Sequence, residues 1–306
     1  MEKKTLIITS SFDRTCDFLI SRYQHIDFFR FNTDDFFNYQ VSYSEDGFIL
    51  KSNDGAIITS YTCKSIYYRK PAPQPLSNII DEKYWGFVHR ECMSFIEGIA
   101  DSFDGFCLSP PSKMKYADNK ISQAKIARLI GFNIPEFTIG NHISFEDNSQ
   151  CKKKYIVKPL ASGMIITGNK KEIVQSNIYL NHYPDDNLKY TPIYFQYYQN
   201  KDYETRVTVV GECFFTVKIV SNNKIDWRKS NNNIVYDIID IPEIIKSQCL
   251  KYMKHFELNF GCFDFIVKSN IWYFLEMNAN GQWLWLELET GVKISERIIR
   301  MLDRDN

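Results

Sequence analysis

The 306-residue sequence predicts a mixed α/β (α+β) protein in successive units, on three observations. First, an apolar run, LIITSS from Leu6 to Ser11, feeds a helical pattern (DRTCDFLISRY) and then a second strand around DFFRFN. Second, a later helix has both ends marked. Asp118 or Asn119 can cap it, Ile121, Ala124, Ile126, Leu129 and Ile130 recur along it, and Gly131 and Pro135 stop it. Third, the last third of the chain is patterned for antiparallel strands, with one hairpin turning at Gly211-Glu212 and another around Lys268-Ser269-Asn270.

The remaining elements follow in order. VSYSEDGFILKSNDGAIIT reads as a hairpin with Asp46-Gly47 and Asp54-Gly55 as turn dipeptides, and the strand SIYYRK ends at the proline-rich PAPQP. WGFVHRECMSFIEGIADSF has helical spacing, and the short strand GFCLSPP closes an N-terminal α/β domain over 1–111. A central domain over 112–190 holds the capped helix, the strand KKKYIVKPL, and a helix or irregular stretch through KEIVQSNIYLNHY. The C-terminal domain, 191–306, opens on TPIYFQYYQ and carries the hairpins and an exposed Asn-rich loop, SNNKIDWRKSNNN. PEIIKSQCLKYMKHF is a helix, and the amphipathic helix SERIIRMLDR closes the chain.

Lys+Arg 37 against Asp+Glu 37 leaves no net charge, which argues against a nucleic-acid or anionic-membrane partner. No apolar run approaches the roughly 18–20 residues of a membrane span, and the opening MEKKTLIITSSF is too short for a signal-peptide core, so a cytoplasmic protein is expected. The eight cysteines form no C-x-x-C pair and read as free buried thiols. The five histidines lie far apart, so a bound metal is expected to be held through oxygen.

FGCFDFIVKSNIWYFLEMNANGQW is the most informative segment. With an odd-length turn at Lys268-Ser269-Asn270, Phe263, Phe265, Val267, Ile271, Tyr273, Leu275 and Met277 share one apolar face. Asp264, Glu276 and Asn278 then share the other. Two carboxylates and an amide oxygen converging across neighbouring strands repel unless a cation sits between them, and this hard-oxygen set suits Mg²⁺ holding nucleotide phosphates. The usual phosphate loops are absent: GMIITG lacks the Lys-[ST] of a P-loop, and no G-x-G-x-x-G follows the first strand. Side chains must hold the phosphates instead. Lys158, at the end of the buried strand YIVKP, is one candidate.

The order of these segments resembles the ATP-grasp ligases across nearly the whole chain: DNK before a helix, VKP on a strand, FQYYQNKDYETRV as the hinge, and FDF followed by EMNANG. The resemblance implies ATP and Mg²⁺ as cofactors, with Lys120 and Lys158 gripping phosphates and Gln196, Tyr197 and Tyr198 framing adenine through main-chain groups. It assigns Asp264, Glu276 and Asn278 to magnesium. Glu204 and Arg206 fall where ribose or phosphate contacts are expected, Arg228 is similar to an arginine that faces the phosphates or substrate, and Arg206 and Arg228 are the implied catalytic residues. The lid strand LASGMIITG is poorer in glycine than many such loops, and Ala279 stands where proline is common.

YYRKP (Tyr67 to Pro71), DWR (Asp226 to Arg228) and NANGQWLWLELETG (Asn278 to Gly291) look like the microviridin-type ligases, the graspetide synthetases. Ribosomal-protein glutamate ligases are similar in the lysines and the triad. The implied activity is activation of Asp or Glu side chains of a ribosomal precursor peptide as acyl phosphates, closing ester or amide cross-links. The partner is then a precursor peptide with a leader, met by the loop Ser221 to Asn233, and a homodimer is a further expectation from the family. The rival readings are an intermolecular ligase adding an amino acid or amine to a carboxylate, and a nucleotide-binding relative without ligation.

Overall fold

The computed structural model describes residues 3–142, 154–161, 163–167, 170–174, 176–179, 185–222 and 233–304. The chain opens with β1 (Lys4–Thr9), α1 (Arg14–Arg22) and β2 (Phe28–Asn32), followed by the antiparallel β3 (Tyr39–Ser44), β4 (Gly47–Ser52) and β5 (Ile57–Thr59). β6 (Cys63–Tyr68), α2 (Trp85–Asp101) and β7 (Phe106–Cys107) complete a parallel sheet of order β2-β1-β6-β7. α1 starts where the Asp13 carboxylate accepts from the Thr15 N–H, satisfying one of the otherwise orphaned first-turn donors.

α3 (Pro111–Ala117) begins on a proline, whose missing N–H costs nothing at a first helical position. α4 (Lys120–Ile130) follows. Its cap is Asn119, whose side chain accepts from Ile121 and Ser122, and Gly131 ends it in the left-handed region at φ 97°. The buried stripe is Gln123, Ala124, Ile126 and Ala127, while Ile121 and Leu129 of the apolar repeat face solvent.

β8 (Phe137–Gly140), β9 (Tyr155–Lys158), β10 (Met164–Thr167), β11 (Lys170–Ile173), β12 (Asn177–Ile178) and β13 (Ile193–Tyr197) follow. β10 and β11 form a hairpin, and the others a sheet of order β12-β9-β13-β8. The stretch expected as helical or irregular therefore contributes strands. Lys170–Ile173 pairs antiparallel with Met164–Thr167, and Asn177 and Ile178 pair with Val157 and Ile156. β13 lies between β8 and β9, so Ile193–Tyr197 belongs to this central sheet.

A second antiparallel sheet, of order β16-β15-β14-β17-β18, comprises β14 (Tyr203–Val210), β15 (Cys213–Ser221), β16 (Ile234–Ile238), β17 (Phe260–Lys268) and β18 (Ile271–Asn278), with α5 (Glu243–His255) between β16 and β17. The β14–β15 turn is Gly211-Glu212, with Gly211 at φ 60°. The β17–β18 hairpin corrects the odd-turn expectation. Lys268 pairs with Ile271 across a two-residue turn whose Ser269 and Asn270 are both left-handed, at φ 48° and 63°. The register then shifts: Phe265 opposes Phe274 but Asp264 opposes Glu276, leaving Leu275 as the extra residue of a bulge. Ile271, Tyr273 and Leu275 accordingly leave the expected core face, and Trp272 and Phe274 are buried in their place. Beyond the bulge the phase is restored, with Met277 buried and Asp264, Glu276 and Asn278 on the opposite face.

α6 (Leu284–Thr290) and α7 (Ile294–Leu302) end the chain and pack beneath the parallel sheet. Ile294 and Ile298 of α7, Leu286 of α6 and Trp283 share a core cluster with Ile7, Cys16, Leu19 and Tyr67. Ser65 Oγ donates to the Leu302 carbonyl at 2.6 Å. The first and last parts of the chain therefore form one packed body. Of the described cysteines, five of seven are buried and all are free. No helix among the described residues is long and apolar enough to cross a membrane.

Candidate active site

The start of α4 is tied to the end of β18. Gln123, buried one turn into the helix, donates from Nε2 to the Met277 carbonyl (2.8 Å) and accepts at Oε1 from the Met277 N–H (2.9 Å). Asp118 Oδ1 accepts from the Ala279 N–H at 3.2 Å. Burial raises the Asp118 carboxyl above its usual range, with the neighbouring Glu276 acting in the same direction. These anchors flank the expected metal ligands. They bring Lys120 Nζ to 3.2 Å from Glu276 Oε2, with both side chains about four-fifths buried.

Lys158 joins them from the central sheet. Its ammonium donates to Gln196 Oε1 at 2.8 Å, and Lys120, Lys158, Glu276, Gln123, Tyr194 and Phe274 line one cleft. The two expected phosphate lysines, carried on different elements, thus face the same opening. The main-chain N–H groups of Tyr197 and Tyr198 donate to the carbonyls of Glu136 (2.7 Å) and Lys154 (2.8 Å). Two main-chain donors of the expected adenine-framing stretch are therefore engaged within the protein.

Asp264 stands beside Glu276 as its cross-strand partner, and Asn278 Nδ2 donates to Asp264 Oδ2 at 3.2 Å. On the other side Arg206, directly opposite Asp264 on β14, places Nη1 at 2.7 Å from both carboxylate oxygens. Burial alone would lower the Arg206 pKa, but the Asp264 carboxylate outweighs it and holds the guanidinium charged. Glu204 pairs instead with Lys201. Arg206 and Glu204 are therefore neighbours on one face of β14 without being partners of each other. Arg228 and the loop around it lie outside the described residues.

Among the described residues no group of three or more His, Cys, Asp or Glu side chains is placed to hold a metal. The candidate set is two carboxylates with one amide, and each carboxylate is neutralised by a side-chain cation, Lys120 or Arg206. The donor chemistry fits a hard divalent ion, which takes carboxylate and amide oxygens.

The signature segments YYRKP and NANGQW meet. Trp283 Nε1 donates to the Tyr67 hydroxyl (3.2 Å), and Arg69 Nη2 donates to Gln282 Oε1 (2.7 Å). Arg69 is fully buried, with Nε 3.1 Å from Asp13 Oδ2. Gly281 has a steric reason: a Cβ there would lie 2.5 Å from Cys262 Cβ and 3.1 Å from Arg206 Nη2. Asp118, Gln123, Asp13 and Lys201 are the site-supporting residues that sequence reasoning missed. Only Asp118 carried a signal, as a helix-cap candidate.

A cleft between two antiparallel sheets, lined by Lys120, Lys158 and Glu276, with Asp264 and Asn278 beside Glu276 on the same sheet face, is the arrangement of an ATP-grasp protein. The chain is a member of that superfamily, with the fold shared across its full length. It is similar to the macrocyclase MdnC of Microcystis aeruginosa MRC, solved with its precursor peptide MdnA, at 28% identity and TM-score 0.85 over 98% of this chain and 99% of that one. It is also similar to a RiPP-associated ATP-grasp ligase of Chryseobacterium gregarium, solved with ADP and a leader and core peptide, at 26% identity and TM-score 0.87 over 98% and 96%. The D-alanine–D-alanine ligase of Bacillus anthracis shares the fold at 11% identity and TM-score 0.58 over 99% and 96%. No protein-family model matches the chain, and no curated protein matches it.

Proposed function

We propose that the chain is an ADP-forming ligase that activates Asp or Glu side chains of a ribosomally made precursor peptide and closes ester or amide cross-links within it. The observation that carries this reading is the cleft itself. Lys120 and Lys158 converge on it from separate elements, beside Glu276 and its cross-strand partner Asp264. The relatives solved with a precursor peptide, or with leader and core peptide, support the choice of substrate.

In the proposed reaction the peptide carboxylate takes the terminal phosphoryl group of ATP to give an acyl phosphate. A hydroxyl or amine of the same peptide then displaces phosphate. Lys120 and Lys158 hold the phosphates, and Gln196 orients Lys158 through its 2.8 Å contact. Asp264, Glu276 and Asn278 would hold magnesium, which when bound supplies positive charge against the phosphates. Lys120, held 3.2 Å from Glu276, keeps its ammonium beside the proposed ligands, where it can meet phosphate. Arg206 fixes Asp264 and is itself fixed by strand register. Glu204 and the main chain of Gln196, Tyr197 and Tyr198 are assigned to the nucleoside end, and Arg228 to the phosphates or substrate. The protein contributes positioning and electrostatic stabilisation, with no covalent enzyme intermediate.

The test is ADP release by the full chain with Mg·ATP, with and without a candidate precursor peptide, taken from any small peptide encoded beside this gene. Release stimulated by the peptide is the expected result, and peptide-independent or absent release contradicts the reading.

A further inference from the structure

The parallel sheet has a topological switch point that the reaction scheme leaves unused. Its order is β2-β1-β6-β7, so the chain leaves β1 toward β2 and later returns to the opposite side of β1 as β6. The strand order reverses between β1 and β6, and open α/β sheets take ligands at such a point, outside the carboxyl ends of the strands. The segments leaving those two ends are Ser10 to Asp13 and Arg69 to Pro71. They border the metal-site sheet through Gln282, which accepts from Arg69 at its side chain (2.7 Å) and from Arg206 at its carbonyl (3.3 Å).

The buried arginines around this switch point are each matched by a carboxylate, whereas Lys70 is not. Arg69 is met by Asp13 and Arg206 by Asp264. Half-buried Lys70 has no hydrogen bond or ion pair among the described residues, although Arg69, Asp13, Cys262 and Arg206 are all near enough to act on its charge. Burial, with Arg69 beside it, pushes the ammonium down to about 8. Its backbone is left-handed at φ 46°, and a following proline disfavours helical conformations for the residue before it. Packing gives no reason for a lysine there. A half-buried lysine on a strained backbone, with no carboxylate bonded to it and Arg206 of the metal-site sheet within electrostatic reach, is placed to take an anion from outside the chain.

We propose that Lys70 binds the substrate carboxylate that is to be phosphorylated, supplying the counter-charge that Arg69 and Arg206, already paired, cannot. The inference rests on the ligase reading and adds the residue that selects an acidic side chain. The switch point between β1 and β6 is then the acceptor subsite, and the cleft lined by Lys120 and Lys158 the nucleotide subsite.

Two measurements on the full chain test this. The first reads acylation of each lysine by a trace amine reagent, by mass spectrometry, with N-acetylglutamate or the neutral N-acetylglutamine added. Slowing of Lys70 by about threefold or more with the acid only, while Lys246 and Lys251 are unchanged, supports the proposal. Equal effects of the two compounds, or no protection, overturn it. The second uses Lys70→Gly and Lys70→Arg. Glycine removes the cation yet relieves the left-handed backbone, so the variant folds. The expected result is a KM for peptide raised about tenfold or more by Lys70→Gly and largely rescued by Lys70→Arg, with KM for ATP unchanged. Unchanged peptide KM in Lys70→Gly refutes the role of Lys70. Absence of peptide turnover by the wild-type chain would instead refute the ligase reading, while the labelling result still decides whether Lys70 is a carboxylate site.

Discussion

The side-chain amide of Gln123 makes both main-chain hydrogen bonds of Met277, at 2.8 and 2.9 Å, as a neighbouring strand would. Because Met277 lies between Glu276 and Asn278, one helical side chain sets the height of Lys120 against both expected ligands. Gln123→Leu leaves a buried N–H and a buried carbonyl without partners, so it should cost about 2–4 kcal/mol in denaturant unfolding. Nucleotide affinity should fall with it, read by ADP titration on the fraction that remains folded.

Asp264 and Glu276 should separate by stability. Asp264→Asn removes the counter-charge of Arg206, whose side chain is only 10% exposed, and should cost about 3–5 kcal/mol as well as ATP turnover. Glu276→Gln leaves Lys120 without its carboxylate, but at 19% exposure against 10% for Arg206 the ammonium keeps more water, so the variant should cost less than Asp264→Asn while abolishing turnover. Denaturation curves with an ADP-release assay on both variants check this, and retained turnover in Glu276→Gln contradicts the metal assignment.

Gly281→Ala should destabilise by about 1–3 kcal/mol, since the new methyl group meets Cys262 Cβ at 2.5 Å in a packed region. It should also disturb Arg206, whose Nη2 lies 3.1 Å from the same point. A thermal melt with a turnover assay reads both effects.

The joint between Asp13 and Arg69 predicts an acid limb of the stability curve. Burial alone would raise the Asp13 carboxyl, but Arg69 and hydrogen bonds from Thr9 and Thr15 hold it below its ordinary 3.8. A folded-state pKa depressed in this way gives stability that is fully present above about 3.8 and lost as pH falls through the folded value. Asp13→Asn should flatten that part of the pH dependence and, by leaving fully buried Arg69 without a counter-charge, lower stability at neutral pH by about 3–5 kcal/mol. Melting temperatures of the two proteins between pH 3 and 7 test both halves of the statement.

The shared polar face of Asp264, Glu276 and Asn278 was legible in the sequence because these acids and an amide interrupt strongly apolar strands. The hairpin geometry was not. A two-residue turn at Ser269-Asn270 shifts the phase by one residue and the bulge at Leu275 shifts it back, so the reading holds at Glu276 but fails between Ile271 and Leu275. Neither device leaves a trace in the hydrophobic pattern, since Trp272, Tyr273, Phe274 and Leu275 are all large and apolar or aromatic. The contacts that place the lysines are long-range: Gln123 reaches Met277 and Asp118 reaches Ala279 across more than half the chain. The segments YYRKP and NANGQW stood out as sequence, but only the fold explains them together, through Tyr67 with Trp283 and Arg69 with Gln282.

The central claim is tested most directly by the intact mass of a candidate precursor peptide, taken from any small peptide encoded beside this gene, after incubation with the full chain and Mg·ATP. Loss of one water for each bond formed, absent when ATP is omitted or Glu276 is Gln, is the result predicted here. A gain in mass, or an unchanged peptide despite ATP consumption, would contradict cross-link closure within the peptide.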